Sequence, residues 1–277
     1  MGQLAVKSAI KSPSTGYEID KIIYSNPVTK RAFYRVKNTS LFGTTYGLKV
    51  IEVEDGHQVR TIKNEVVALN RLPFGITSKC HLHWNQGNKH FLLMDWIEGT
   101  PLSEYLASNS ESNIPLVQKL AIAEQVCKKV QQLHRFKLLH RDIKPDNIIL
   151  QLAGRNVTNV YLIDFGSSTQ KRETEEGTYH YRSPEQSIAR NIRLTETSDI
   201  FSLSQVIHFI LTGNPAELEP NFEISDWETE IDTQQNPALP KQIATVLSKG
   251  LRFSASRRTQ QAQTIANQLR DASRRIK

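Results

Sequence analysis

The chain has 277 residues, of which 38% are hydrophobic and 23% charged, and a formal net charge of +7. This length can bury a large core. The mild positive charge suits a nucleotide, an acidic substrate or a nucleic acid, but no basic block is long enough to favour nucleic acid. With two cysteines, no signal-peptide pattern and no apolar run long enough to cross a bilayer, the sequence predicts a protein of the reducing cytoplasm without a membrane segment.

The N-terminal part of the chain is predicted to be rich in β-structure. The polar stretch 1–16 is expected to be a frayed tail. Strands are predicted, from β-branched and aromatic residues between turn signals, over 17–25, 32–37, 46–53, 81–84 and 91–96. A helix is predicted over 59–72, because apolar residues share one stripe and Pro73 ends it.

Coarse patterning in the rest of the chain indicates a larger, mainly helical part. Apolar residues recur at helical spacing over 116–133, and this predicted helix leads to His140. Two short strands, 148–151 and 160–163, are predicted to form a hairpin through a turn at 154–156. The polar run 217–240 is predicted to be an irregular insertion between helices.

The most informative motif lies in this second part. It consists of His140-Arg141-Asp142-Ile143-Lys144-Pro145-Asp146-Asn147 followed by Asp164-Phe165-Gly166. Phosphoryl transfer requires a carboxylate that accepts the proton of the attacking hydroxyl, and oxygen ligands that hold magnesium against the phosphates. Asp142 is the candidate base, and Asn147 and Asp164 are the candidate metal ligands. The predicted hairpin between the two motifs would bring both ligands to the same end.

These motifs resemble the eukaryotic-type Ser/Thr protein kinases, whose catalytic loop reads H-R-D-L-x-x-x-N, with Ile143 in place of leucine. The resemblance implies an α+β, two-lobed fold in which a kinase domain occupies residues 17–272. A small β-rich N-lobe would span 17–95, a hinge 95–99, and a larger helical C-lobe 100–272. ATP and Mg²⁺ are the implied cofactors, and a protein with a Ser or Thr hydroxyl is the implied substrate.

The resemblance also assigns residues to nucleotide binding. Lys49, in a strand-like Tyr46-Gly47-Leu48-Lys49-Val50, would contact the α- and β-phosphates, and Glu65 on the following helix would hold it. Gly47 stands where alanine is common in the family. Further nucleotide contacts are implied at the gatekeeper Met94, at the backbone of Asp95 and Ile97, and at Ile149.

Substrate class and regulation follow from residues near the base. Lys144, two residues after Asp142, contacts the γ-phosphate in Ser/Thr-directed members, whereas tyrosine-directed members read H-R-D-L-A-A-R-N. Thr178 also favours the Ser/Thr class. Arg141 is expected to pair with a phosphate that orders the activation segment, and Thr174 is the first candidate for phosphorylation. Otherwise the glutamates around Thr174 could substitute for phosphate.

Two acidic residues further along have implied structural roles. Glu185 would form a buried ion pair with Arg257 or Arg258. Asp199 resembles an acidic residue on a C-lobe helix of the family that anchors the backbone of the catalytic loop. Ser183, two residues before Glu185, stands where the family usually has alanine.

The main departure from the family pattern is the phosphate-binding loop. Kinases carry G-x-G-x-x-G between the first two strands, but here no glycine occurs between Gly16 and Gly43. This leaves a second hypothesis, a pseudokinase that binds nucleotide or partners without catalysis. A third, a small-molecule phosphotransferase, is weaker because those enzymes usually lack Arg141 and the segment 178–185. We favour the active enzyme, because the expected functional residues are all present: Lys49, Glu65, Asp142, Asn147 and Asp164.

Overall fold

The computed structural model describes residues 9–11, 16–40, 43–109, 114–154, 156–167, 178–188, 194–218 and 240–276. The chain divides into two compact units, Met1–Glu98 and Gly99–Lys277. The division falls inside the predicted hinge at 95–99. None of the helices in the described ranges combines the length and the apolar character needed to cross a membrane.

The described residues of the first unit form an antiparallel sheet and a helix. The strands are β1 (Ala9–Lys11), β2 (Gly16–Asn26), β3 (Arg31–Asn38), β4 (Thr45–Glu52), β5 (Cys80–Gln86) and β6 (Lys89–Asp95), in the order β1-β2-β3-β4-β6-β5. The helix α1 spans Gly56–Arg71 and ends before Pro73, as predicted. The prediction of a frayed tail over 1–16 is wrong for residues 9–11. These residues form β1, which pairs with β2 and buries Ile10 in the core.

One face of this sheet builds the hydrophobic core of the unit. Its buried residues include Ile10, Tyr17, Ile19, Tyr34, Val36, Leu48, Trp84, Phe91 and Leu93. The rings of Trp84 and Phe91 stack with centroids 5.1 Å apart. Because side chains alternate along a strand, the neighbours of these core residues, among them Phe33 and Lys49, point to the other face.

Both ends of α1 are tied down by side chains. Asp55 caps the N-terminus, where its carboxylate accepts the N–H of Gln58 at 2.8 Å. Near the C-terminus, Asn70 exchanges two hydrogen bonds of 3.0 Å with the backbone of Cys80 at the start of β5. The helix is therefore held in one register against the sheet, and this fixes the position of Glu65.

The second unit is mainly helical. Its helices are α2 (Leu102–Ser108), α3 (Leu116–Arg135), α4 (Pro184–Ile188), α5 (Glu196–Thr212), α6 (Lys241–Gly250) and α7 (Ala262–Arg275). The helix α3 packs against α5 and α7 through the predicted apolar stripe. Nearly every residue of α5 is buried, which makes it the central helix of the unit, and Gly213 ends it in a left-handed conformation at φ 86°.

A small sheet connects the end of the first catalytic motif to the start of the second. It consists of β7 (Thr100–Pro101), β8 (Ile148–Ala153) and β9 (Asn156–Leu162). The hairpin is tighter than predicted, because Ala153 pairs with Asn156 and Gly154 has a φ of 62°. The strand β9 therefore begins four residues before the predicted start at 160, and the added residues are Asn156-Val157-Thr158-Asn159. Residues 219–239 of the predicted insertion lie outside the described ranges.

Candidate active site

A buried ion pair lies on the sheet of the first unit. The Lys49 ammonium on β4 contacts Glu65 Oε1 on α1 at 2.6 Å, and the two side chains are only 7% and 3% exposed. Such a pair is stable only while both charges are present, since removing one strands the other in a poorly hydrated environment. The structure thus brings together the two residues to which the sequence assigned phosphate binding.

An aromatic row lies beside Lys49 on the same face of the sheet. Phe33 is the register partner of Lys49, and its ring stacks between those of Tyr24 and Trp96, with centroids 6.3 and 6.2 Å away. A methyl group at Gly47 would lie 2.7 Å from a ring carbon of Phe33. Gly47 therefore replaces the usual alanine because Phe33 occupies the space of its side chain. Sequence reasoning noticed Gly47 but missed Phe33.

The predicted gatekeeper strand adjoins this row. Met94 on β6 is buried and lies opposite Gly47 in the ladder. The N–H of Asp95 donates to the carbonyl of Lys79 at 3.0 Å, so the carbonyl of Asp95 is the backbone group that could meet an adenine. Ile97 is half-buried; in the second unit, Ile149 on β8 is also half-buried.

The glycine-free loop forms a compact turn, Pro27–Lys30, between β2 and β3. The side-chain oxygen of Asn26 accepts the N–H groups of Val28 and Thr29 at 2.9 and 3.1 Å. Lys30 adopts a left-handed conformation at φ 54°. Two backbone donors that could face phosphate are thus engaged inside the turn.

In the second unit, Asp199 anchors the catalytic loop as predicted. Its two carboxylate oxygens accept the backbone N–H groups of His140 and Arg141, both at 2.8 Å, and one of them also contacts His134 Nε2 at 2.9 Å. Burial alone would raise the pKa of Asp199, but the hydrogen bond and charge of His134, the charge of His140 and the backbone N–H of Arg141 lower it. A charged anchor thus fixes the residues that precede Asp142.

Asp142 is oriented through both of its carboxylate oxygens. Oδ1 accepts the N–H and the hydroxyl of Thr178 at 3.1 and 3.0 Å. Oδ2 accepts from Asn147 Nδ2 and Lys144 Nζ, both at 3.1 Å. Lys144 Nζ also donates to the Thr178 hydroxyl at 3.0 Å, which closes the network. The sequence singled out all four residues but did not predict the contact between Thr178 and Asp142.

The two candidate metal ligands flank the hairpin of the small sheet: Asn147 directly precedes β8, and Asp164 lies two residues after the end of β9. The N–H of Ile163 donates to the carbonyl of Asn147 at 3.0 Å, so Asp164 follows directly after the backbone contact with Asn147. Asn147 Nδ2 donates to the carbonyl of Asp142 at 2.8 Å as well as to its carboxylate. The amide oxygen of Asn147 and the carboxylate of Asp164 are hard oxygen donors, and this donor set fits Mg²⁺.

Glu185 forms the predicted buried ion pair, and its partner is Arg258. Two parallel contacts of 2.7 Å join the guanidinium to the carboxylate, and Ser198 Oγ donates to Glu185 at 2.8 Å. Burial alone would raise the pKa of Glu185, but the hydrogen bonds and charge of Arg258 hold it below its usual range. Of the two predicted partners, Arg258 is therefore the one that forms the bidentate pair.

The predicted regulatory residues are only partly described. Arg141 Nη1 lies 3.5 Å from the carbonyl of Ser167, and Thr174 lies outside the described residues. The hydroxyl of Thr178 is directed at Asp142. Its contacts are those of a residue that orients the carboxylate of Asp142, and its regulatory role stays a prediction.

Comparison with known proteins agrees with this geometry. The sequence profile of the protein kinase domain matches residues 34–269. The serine/threonine-protein kinase PrkC of Bacillus subtilis is 34% identical over 174 residues, covering 58% of this chain and 25% of that protein. The serine/threonine-protein kinase C of Synechocystis sp. is 28% identical over 204 residues, covering 68% of this chain and 36% of that protein. The chain thus spans well under half the length of these two relatives.

A solved structure shows the same fold. The crystal structure of the PknI kinase domain of Mycobacterium tuberculosis superposes with a TM-score of 0.72 at 19% identity, covering 97% of this chain and 99% of that one. The predicted α+β kinase fold is therefore confirmed. The profile match extends over most of the chain, and the matched range includes Lys49, Asp142 and Asp164. The chain is a member of the protein kinase domain family.

Proposed function

We propose that this chain is an ATP-dependent Ser/Thr protein kinase that transfers the γ-phosphate of ATP to a protein hydroxyl. The observation that carries the proposal is the network around Asp142, in which Thr178, Asn147 and Lys144 orient both carboxylate oxygens. A carboxylate held in this way can accept a proton from a hydroxyl placed beside it.

The reaction assigns one task to each residue of the network. A substrate hydroxyl oxygen attacks the γ-phosphorus, the bond to the β,γ-bridging oxygen breaks, and ADP leaves. The hydroxyl proton passes to Asp142. Lys144 would neutralise charge on the transferred phosphoryl group, which its position beside Asp142 Oδ2 supports. Asn147 and Asp164 would hold Mg²⁺, which when bound neutralises the charge on the phosphates.

Nucleotide binding is proposed for the residues that the sequence selected. Lys49, held by Glu65, would bind the α- and β-phosphates. The carbonyl of Asp95 and the N–H of Ile97 would hydrogen-bond adenine. Met94 and Ile149 would contact the base through their apolar side chains.

Substrate class, partners and location remain part of the proposal. Lys144 favours Ser and Thr over Tyr as acceptors, and the names of the bacterial relatives point the same way. The proposed partners are ATP and a protein substrate, without nucleic acid, in the cytoplasm. Arg141 and Thr174 are proposed as a phosphate-dependent switch, in which the arginine pairs with phosphorylated Thr174.

One observation favours a second candidate, the pseudokinase. Asn26 engages two backbone donors of the loop that would otherwise cover the phosphates. A chain that binds nucleotide weakly and transfers no phosphate would show this loop. The intact network of Asp142 supports the active enzyme instead.

The substitution Asp142→Asn separates these candidates. The amide keeps the shape but cannot accept the proton, and its NH₂ faces donors on either side, so transfer should fall roughly 10²- to 10⁴-fold. Asp271→Asn, the same change at an exposed carboxylate on α7, is the matched control. Transfer by Asp142→Asn at the level of the control would remove Asp142 from the mechanism. Absence of transfer in every form, with Mg-ATP still bound, would establish the pseudokinase.

A further inference from the structure

Ser183, which departs from the alanine usual in this family, belongs to a buried hydrogen-bonded chain. Its N–H and its hydroxyl donate to the side-chain oxygen of Gln186 at 2.9 and 3.1 Å. The side-chain nitrogen of Gln186 then donates to the carbonyl of Arg141 at 2.8 Å. Both Ser183 and Gln186 are 0% exposed. A buried amide with both of its polar atoms engaged is an ordered connection between the two segments.

The carbonyl at the end of this chain belongs to the peptide bond that enters Asp142. Arg141 has a left-handed φ of 66°, a conformation that non-glycine residues adopt only where surrounding contacts impose it. Asp199 holds the N–H of Arg141, and Gln186 holds its carbonyl. Because the carbonyl lies in the plane of the Arg141–Asp142 peptide, its hydrogen bond fixes the backbone orientation from which the Asp142 side chain extends.

The same segment reaches Asp142 a second time through Thr178. Thr178 contacts the carboxylate, whereas Gln186 acts on the backbone one residue earlier. The stretch 178–186 thus constrains the base at two points. Asp142 is the base in the proposed function. Because the stretch 178–186 contacts both its carboxylate and the backbone before it, a displacement of the stretch would displace the carboxylate as well.

We propose that Ser183 and Gln186 form a positioning pair that aligns Asp142 for proton acceptance. The inference rests on the proposed function and deepens it. Glutamine suits the role because one side chain must accept two hydrogen bonds and donate a third. Leucine of similar size makes none of them. Glutamate would keep the bonds from Ser183 but would present an oxygen to the carbonyl of Arg141, so it should also fail.

The test compares Gln186→Leu with a matched control at Gln205. Gln205 on α5 is also a buried glutamine, and its amide contacts the carbonyl and N–H of Ala216 at 3.1 and 2.7 Å. Gln205→Leu therefore removes the same kind of buried bonds away from the base. In folded Gln186→Leu we expect kcat to fall roughly 10²-fold, because a small misplacement of a catalytic group has this effect. The KM for ATP should stay within about twofold, since binding is not the affected step.

Two further variants grade the effect. Ser183→Ala removes the hydroxyl bond but keeps the backbone bond, so its kcat should fall less than that of Gln186→Leu. Gln186→Glu should resemble Gln186→Leu. The positioning role is refuted if folded Gln186→Leu retains the wild-type kcat, or if Gln205→Leu loses kcat to the same extent.

Amide hydrogen exchange gives a readout that does not need activity. The N–H groups of Arg141 and Thr178 donate to Asp199 and Asp142, so loss of the pair should speed their exchange by about tenfold or more in Gln186→Leu but not in Gln205→Leu. An inactive wild type with this selective exchange would contradict the proposed function and keep the positioning pair. Unchanged exchange in Gln186→Leu would remove the pair, whatever the activity.

Discussion

The compact turn at Pro27–Lys30 predicts that the chain binds the phosphates of ATP more weakly than it would if the backbone N–H groups of this turn were available to them. The turn is closed by Asn26, which holds the N–H groups of Val28 and Thr29. In the double variant Asn26→Gly with Val28→Gly, both donors are released and the loop can reach φ values that bring amides toward a phosphate.

The size of the effect follows from two opposing terms. Two charge-assisted hydrogen bonds to phosphate contribute about 3 to 6 kcal/mol together. Ordering two flexible residues in the complex costs about 2 to 4 kcal/mol. The net gain of about 1 to 2 kcal/mol corresponds to ATP binding that is roughly 5- to 30-fold tighter.

Calorimetry with Mg-ATP on three forms provides the assay. Val28→Gly alone is the matched control, because it adds flexibility at an exposed position and leaves the Asn26 acceptor in place. Adenosine serves as the control ligand, since without phosphates its affinity should be equal for all forms. If the double variant binds Mg-ATP no more tightly than Val28→Gly, the turn does not withhold donors from the phosphates and the reasoning is wrong.

Three more predictions concern other parts of the chain. Arg258→Met should lower the free energy of unfolding by about 3 to 5 kcal/mol in urea, because it strands buried Glu185. The pKa of Glu185 lies below its ordinary value of 4.5, so the pair stabilises the wild type fully above pH 4.5 and this stabilisation is lost as the pH falls through the lowered pKa. The free energy of unfolding of Arg258→Met should not show this acid-dependent decrease. Gly47→Ala should weaken Mg-ATP binding and stability through its clash with Phe33, and adding Phe33→Val should restore both. Asp164→Asn should abolish the magnesium dependence of ATP binding, measured by titration with and without the metal.

Local patterns in the sequence located most of the strands after β1 and two of the helices. Period and turn signals located α1, α3 and the hairpin of β8 and β9, since each forms from contacts close in the chain. The strand β1 was missed because three residues in a polar tail carry no periodic signal, and only pairing with β2 makes them a strand. The early start of β9 was missed because Asn156 and Asn159, a residue type depleted in strands, flank Val157 and Thr158.

Within the candidate site, the motif residues and the pair of Lys49 with Glu65 were predictable, whereas the contacts of the Asp142 carboxylate were not. The motifs selected Asp142, but only the folded chain shows which oxygen meets Thr178. The sequence could not decide whether Arg257 or Arg258 pairs with Glu185. The side chains of adjacent residues point in different directions, and the short turn Ala255–Arg257 determines which of them reaches Glu185. Gln186 carries no signal of its own, since its role depends on the carbonyl of Arg141, distant in sequence.

Phosphoamino-acid analysis measures directly whether the chain transfers phosphate to Ser or Thr. A generic protein substrate is incubated with the wild-type chain, γ-labelled ATP and Mg²⁺. We expect label on serine or threonine, none on tyrosine, and none with Asp142→Asn. Label on tyrosine would contradict the role given to Lys144. A wild type that binds Mg-ATP yet leaves the substrate unlabelled would contradict the assignment of Asp142 as an active base.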